Sequence, residues 1–403
     1  MRKLRGWRTW IAVTAGILAT VLSFGCGGGK SGRGTPAPST GNTIYIGVAG
    51  PMTGDLAQFG ESLRNGVTLA FDEINSAGGV LGKKLEIVVG DDQAKTNEGV
   101  NVARNFARDP RGIVAVLGHF NSGISKPAGE IYNKKGIVML TPASTNPGVT
   151  GPDKPFVFRN LPNDNQNGEL LAQFVVEGLK AKRIAIYFAN DEYGKGLAKV
   201  VARKAKALGA EVVDQAKYDP NADEDFRPVL TKWKGLNLDA VVLAAENPKG
   251  AQLIKQAREI GLETPFAGGD GIASSELWKI GGQAADGVYV VSYFHPGNPD
   301  PAVQEFVKKY EKRFGRKADV WAAQAYDAAR VLADAIRRAG STDRKAIRDA
   351  LAATDGWKGV TGPHRFKNGD AIGKRVIITR VEKKESGEYH FAFFKEVGAE
   401  EAR

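Results

Sequence analysis

Five short loops hold the side chains that could do chemistry. The first two read Gly118-His119-Phe120-Asn121-Ser122-Gly123 and Thr141-Pro142-Ala143-Ser144-Thr145. They offer hydroxyls and, where a helix begins, backbone N–H groups, a combination that suits a carboxylate. The other three read Asn190-Asp191-Glu192-Tyr193-Gly194, Glu246-Asn247-Pro248 and Gly268-Gly269-Asp270-Gly271. Their acids and tyrosine suit an ammonium group. One set for each end of a zwitterion makes an amino-acid site. The spacing is equally met if Ser122 and Thr145 are helix caps and Asp270 a turn residue.

Catalytic and metal-binding patterns fail position by position. His119 lies three residues before Ser122, but the nucleophile elbow G-x-S-x-G is missing, because Asn121 precedes the serine. Asp219, Asn221, Asp223 and Asp225 imitate a calcium loop, with Glu224 in the glycine place and Leu230 in the closing glutamate place. A solvated acidic turn accounts for them. One cysteine and four scattered histidines supply no zinc ligand set. Gly50-Pro51-Met52-Thr53-Gly54 is no dinucleotide fingerprint. Gly29-Lys30-Ser31 imitates the end of a phosphate loop, but Phe24 stands where its first glycine belongs. No enzyme and no cofactor is expected.

In open α/β sheets ligands sit outside the carboxyl ends of the strands, so the elements must bring those five loops there. Residues 44–49 form a short apolar strand; Leu63, Val67, Ala70, Ile74 and Ala77 then recur at helical spacing. Leu85, Ile87 and Val89 alternate as a strand, with a helix over 97–108. Residues 113–117 and 137–140 are continuous apolar runs, as in strands covered on both faces. A helix over 123–134 separates them, and Pro127 is expected in its first turn. The alternation restarts with strands at 183–188, 211–213, 240–244, 266–267 and 287–293 and helices at 194–208, 226–234 and 249–260. Two such sets imply two similar lobes with parallel sheets. Helices at 301–314, 320–338 and 343–353 follow, then an antiparallel pair at 374–381 and 389–394.

The N-terminus sets the compartment. Arg2, Lys3, Arg5 and Arg8 precede an apolar run over 10–24 that ends in Gly25-Cys26. This is the order of a secretory signal and is short for a membrane span. Cys26 is the single cysteine and resembles a bacterial lipoprotein acceptor, although Ser23 stands where such a motif usually has leucine. Residues 27–42 are Gly, Ser, Thr and Pro-rich, a flexible tether reaching roughly 20–25 Å. The signal takes four of the 56 basic residues, leaving 52 against 45 acids. These charges are interspersed, with no basic block interleaved with aromatics, so no nucleic-acid partner is expected.

An ordered set of motifs carries a resemblance. It comprises Ile46-Gly47-Val48 through Gly54, Ala57-Gln58-Phe59-Gly60, Asn65-Gly66, Ile74-Asn75, Gly78-Gly79 and Asp91-Asp92. It continues with Gly118-His119 through Pro127-Ala128, Thr141 to Thr145, Tyr193-Gly194, Gly269-Asp270-Gly271 and Tyr326-Asp327-Ala328. The set spans 43–396 and resembles the leucine/isoleucine/valine-binding proteins, the periplasmic binding proteins of branched-chain amino-acid ABC importers. The resemblance implies a two-lobed type I periplasmic-binding fold, each lobe a mostly parallel sheet flanked by helices. It implies a three-segment hinge, with crossings near 156–162, 290–294 and 359–366. The implied organisation is signal peptide 1–25, lipidated Cys26 with a tether to 42, first lobe 43–159 plus 293–359, and second lobe 160–292 plus 360–396.

The resemblance also implies ligand roles. Ser122, Ala143 and Thr145 match positions that bind the carboxylate and help hold the ammonium. Asp270 matches the acid that pairs with the ammonium, where the family usually has glutamate. Tyr193 matches the tyrosine that closes over the ligand, and Phe59 and Trp321 match aromatics walling the side-chain pocket. Glu246 departs, standing where the family often has tyrosine; it could reinforce the ammonium or meet a polar or cationic side chain. The implied function is an extracytoplasmic lipoprotein that captures an amino acid, aliphatic or branched-chain first, and delivers it to ABC permease subunits. Its expected state is monomeric, held to a membrane by the lipid on Cys26 in the periplasm or at the cell surface. The alternative is a ligand-sensing protein for an amide or other small polar solute.

Overall fold

The computed structural model describes residues 41–397. The signal, Cys26 and all but the last two residues of the tether lie outside that range. Along the first lobe, β1 (Thr43–Gly50), α1 (Ala57–Ser76), β2 (Lys84–Asp91), α2 (Thr96–Arg108), β3 (Ala115–Leu117), α3 (Ser122–Lys134), β4 (Val138–Thr141) and β5 (Val157–Arg159) succeed one another. The strands form one parallel sheet in the order β2-β1-β3-β4-β5. Every residue of β3 and β4 is buried, as continuous apolar runs under helices on both faces require.

The second lobe repeats the plan with α4 (Asp164–Gln173), β6 (Arg183–Ala189), α5 (Glu192–Ala207), β7 (Glu211–Tyr218), α6 (Arg227–Lys234), β8 (Ala240–Ala244), α7 (Lys249–Glu259), β9 (Phe266–Gly268), α8 (Glu276–Gly281) and β10 (Tyr289–Ser292). Its parallel strands run β7-β6-β8-β9-β10, the same order as the first sheet. In both lobes the order reverses at the first strand, which opens a crevice at the strand ends.

The tail returns to both lobes. α9 (Pro301–Phe314), α10 (Val320–Ala339) and α11 (Arg344–Ala352) cover the first. α10 lies so close to α1 that a Cβ on Gly66 would stand 2.2 Å from the Ala322 carbonyl oxygen. β11 (Asp355–Gly359), β12 (Gly362–Lys367) and β13 (Asp370–Ala371) form a small antiparallel sheet, and β14 (Val376–Lys383) and β15 (Tyr389–Val397) extend the second sheet beyond β10 to seven strands.

Three features differ from the sequence reading. α4, α8 and the small sheet were not expected. Pro127 stands inside α3, whose helical turns begin at Ser122. The small sheet lies against β5: the Arg159 N–H donates to the Gly369 carbonyl at 2.9 Å, and Phe366 packs edge-on against Phe158. The chain therefore stays beside the first sheet past residue 360 and passes to the second only after Ala371, later than the crossing expected over 359–366.

Candidate functional site

The loops after β3 and β4 are built as one unit from hydroxyls. Thr141 Oγ1 donates to the His119 carbonyl at 2.7 Å and accepts the Ala143 and Ser144 N–H groups. Ser144 Oγ donates to the Phe120 carbonyl at 2.7 Å and shares a 2.6 Å bond with Ser125 Oγ. Ser122 Oγ accepts the Asn146 N–H at 3.2 Å. Behind them Arg159, fully buried at the end of β5, donates through Nη1 to the Ser144 and Asn146 carbonyls on either side of Thr145. Its Nε pairs with Asp370 at 2.5 Å, tying this loop to the small sheet. His119 is buried underneath, with Nδ1 2.7 Å from Asp92 Oδ2 and Nε2 3.2 Å from the Tyr132 hydroxyl. That pairing leaves it no part in activating Ser122.

The second lobe meets these loops with acids. Asp191 accepts the Gly194 N–H at 2.8 Å and caps α5, which sets Tyr193 at the cleft. The Tyr193 hydroxyl donates to Asp270 Oδ1 at 2.8 Å and accepts the Gly271 N–H at 3.1 Å. The Tyr293 hydroxyl donates to Asp270 Oδ2, also at 2.8 Å, and is itself held by Asn167 Nδ2. Burial raises the Asp270 carboxyl to about 6, against the opposing pull of Tyr193 and Tyr293. Asp164, buried at the start of α4, is pushed up to about 8 by burial and then by the charge of Asp270. It is therefore mostly protonated at neutral pH. Glu246 crosses the cleft: Asn121 Nδ2 donates to both its carboxyl oxygens, each at 3.0 Å.

One small cavity between the lobes gathers Ser122, Ala143, Thr145, Tyr193, Glu246, Asp270 and Trp321, together with Phe120 and Gly271. Phe59 is not on its surface. It stacks behind Phe120 at 4.6 Å and meets Trp321 edge-on at 6.1 Å, so Phe120 takes the lining place expected of Phe59. A larger chamber of about 410 Å³ opens outward from the cavity and shares Ser122, Tyr193 and Glu246 with it. At the rim Lys126 Nζ pairs with Glu192 at 2.6 Å and Asn146 Nδ2 donates to the Glu192 carbonyl at 2.7 Å. Phe120, Asn121, Asp164 and Tyr293 were missed by the sequence reading as site residues. A signal existed only for the first two, which share a loop with Ser122.

Comparison with known proteins gives the family. The model described as "Periplasmic binding protein" matches residues 43–386. The chain belongs to the periplasmic binding protein family. Among its relatives, Leu/Ile/Val-binding protein homolog 1 of Brucella suis is 32% identical over 354 residues, covering 86% of this chain and 93% of the relative. A leucine-binding protein of Thermotoga maritima superposes with a TM-score of 0.82 at 32% identity, over 89% of this chain and 99% of that one. A branched-chain amino acid transporter substrate-binding protein of Streptococcus pneumoniae, solved with isoleucine, gives 0.80 at 29% identity, over 88% and 99%. This periplasmic binding protein is thus a solute-binding protein and not an enzyme, and its family places it outside the cytoplasm. Its two-lobed α/β fold is the one that the ordered motifs implied.

Proposed function

We propose that this protein is an extracytoplasmic lipoprotein, acylated on Cys26, that captures an aliphatic or branched-chain amino acid between its lobes and hands it to an ABC permease. One observation carries the reading. A single cavity brings Ser122 and Thr145 together with Asp270, with Phe120, Ala143 and Trp321 as apolar lining. Hydroxyls by the N-terminus of α3 suit a carboxylate, a tyrosine-held carboxylate suits an ammonium, and the aromatic wall suits a hydrocarbon side chain. The ligand touches both lobes, so it favours the closed state and shifts the population toward it. Relatives whose names specify leucine, isoleucine or valine support the choice of side chain.

Native mass spectrometry of protein purified without dialysis, followed by calorimetry with L-leucine, L-isoleucine and L-valine, tests this. We expect a co-purified amino acid and micromolar or tighter binding of at least one of the three, a total of about 8 kcal/mol or more. A bound solute lacking an α-amino group would overturn the reading in favour of an amide or other small polar solute. Intact-mass analysis of the membrane fraction tests the anchor; an N-terminus beyond Cys26 would remove it.

A further inference from the structure

We propose that Glu246 works in its protonated form, donating a hydrogen bond to the bound solute from the second lobe while accepting one from Asn121 of the first. The inference rests on the amino-acid reading above and deepens it, by stating how the site accommodates a second acid.

Charge counting raises the question. Asp270 and Glu246 both line the inner cavity, and among the described residues no lysine, arginine or histidine lines it. A zwitterionic solute brings one cation and one anion. With both acids ionised, the closed cavity would hold two carboxylates, a solute carboxylate and a single ammonium. Uncompensated buried charge is costly, and groups in that position neutralise instead.

Geometry decides which acid keeps the proton. Each oxygen of Asp270 accepts a tyrosine hydroxyl, and donors of this kind favour the ionised form. Among the described residues Glu246 has one side-chain donor, the Asn121 amide. Asn121 is the N-cap residue of α3, yet its side chain makes no capping bond. It is turned across the cleft instead, a local rule broken at a site where function offers a reason. Asn121 directly precedes Ser122, so Glu246 lies toward the end of the cavity assigned to the solute carboxylate. An ionised Glu246 would repel that carboxylate; a protonated one donates to it.

The surroundings agree. On the second lobe Glu246 faces Asp191 at the start of α5, Tyr193 within it, Tyr218 at the end of β7, and Asp270. Lys249, at the start of α7, spends its ammonium on Glu224. From the first lobe come Asn121 and, across the outer chamber, Asp55 and Lys95. Glu246 is part-buried, bordering the outer chamber on one side and packed against protein on the others. That burial, then the charges of Asp191 and Asp270, pushes it well above the usual glutamate range.

The test uses the whole protein, L-leucine and L-lysine as probes, and the variants E246Q and E246A. Glutamine matches the protonated acid in shape and in lacking charge, and it can still donate a hydrogen bond. We expect E246Q to bind leucine at least about tenfold more tightly than E246A, one charge-assisted hydrogen bond apart. As pH rises above neutrality and Glu246 loses its proton, wild-type affinity for leucine should fall relative to that of E246Q. At pH 7 the wild type should show an infrared carbonyl band of a protonated carboxyl group that E246Q lacks, beside the band of Asp164 that both retain. A preference for lysine over leucine, E246Q falling as far as E246A, or absence of the band that E246Q should lack would overturn the proposal. If the wild type binds neither probe, the amino-acid reading fails, and that band, recorded without ligand, still decides the protonation of Glu246.

Discussion

Among the described residues, the first-lobe wall of the cavity presents no charged side chain, whereas the second-lobe wall presents two carboxyl groups, Asp270 and Glu246. The hydroxyls of the neutral wall bond within two neighbouring loops. Thr141, Ser144 and Ser122 bond to backbone groups of loops that β3 and β4 already hold side by side. Hydroxyls satisfied in this way can be buried at modest cost. The acidic wall draws its donors from separate helices and strands. Asp270 relies on Tyr193 from α5 and Tyr293 from beyond β10, and Tyr293 relies on Asn167 from α4. The difference teaches where sensitivity should lie: the acidic wall sets affinity through charge and pH, and the neutral wall sets it through hydrogen bonds alone.

The most direct way to break the contrast is Asp270→Asn. It keeps the shape and removes the charge that faces the solute ammonium. Truncating one partner of a buried charge pair costs about 2–5 kcal/mol, much of it for the stranded opposite charge. Calorimetry should show affinity falling roughly 30-fold or more. Unchanged binding would mean that the ammonium sits elsewhere. Ser122→Ala probes the opposite wall. Losing one hydrogen bond to a charged group costs about 1.5–3 kcal/mol, or roughly ten- to hundredfold in affinity. A loss as large as that of Asp270→Asn would erase the proposed asymmetry.

The walls should also differ in their response to pH. Without ligand, the Asp270 carboxyl is raised to about 6. The solute ammonium pairs with the ionised form, so binding must expel the proton below that value. The contribution of Asp270 to affinity is then full above about pH 7 and falls as pH drops through 6, by about tenfold between pH 7 and pH 5. Ser122→Ala should keep this slope and Asp270→Asn should flatten it. A wild-type affinity independent of pH over that interval would show that Asp270 does not carry the coupling.

The same contrast explains what was legible in the sequence. Buried strands announce themselves as apolar runs: 113–117, 137–140 and 240–244 each mark an observed strand. The loops that follow β3, β4, β6 and β9 could then be read off in order, which is why Ser122, Thr145, Tyr193 and Asp270 were found beside one another. α4 was illegible because its first turns read Asp164-Asn165-Gln166-Asn167-Gly168, a loop composition. Asn163 nonetheless caps it through its side chain, and Asp164, Asn167 and Gly168 are buried. A Cβ on Gly168 would lie 2.8 Å from Val200 of α5, so the glycine that suggests a loop permits the helix packing. Tyr293 was placed at a crossing but given no partner, since only the fold brings it to Asp270. The small sheet beside β5 escaped notice because β11 is short and has no buried residue to set a pattern.

The smallest expected effect lies at the rim, where the walls also meet. Lys126 of α3 and Glu192 of α5 form an ion pair between the lobes at 2.6 Å, but both side chains are well exposed, at 37% and 47%. Exposed pairs are worth about 0–1 kcal/mol, because water screens the attraction and ordering two long side chains costs entropy. This pair exists only when the lobes are close, so whatever it contributes belongs to the closed state. Lys126→Ala should therefore raise the solute off-rate, by about fivefold at most, and leave association nearly unchanged. Raising the salt concentration should shrink the difference between variant and wild type, since surface charges are screened within about 10 Å at 0.1 M. Small-angle scattering should show both proteins contracting on addition of saturating ligand, with the ligand-free variant no more compact than the wild type. A loss matching that of Asp270→Asn would shift the weight of closure from the buried acid to the rim and reverse the comparison between the inner site and its edge.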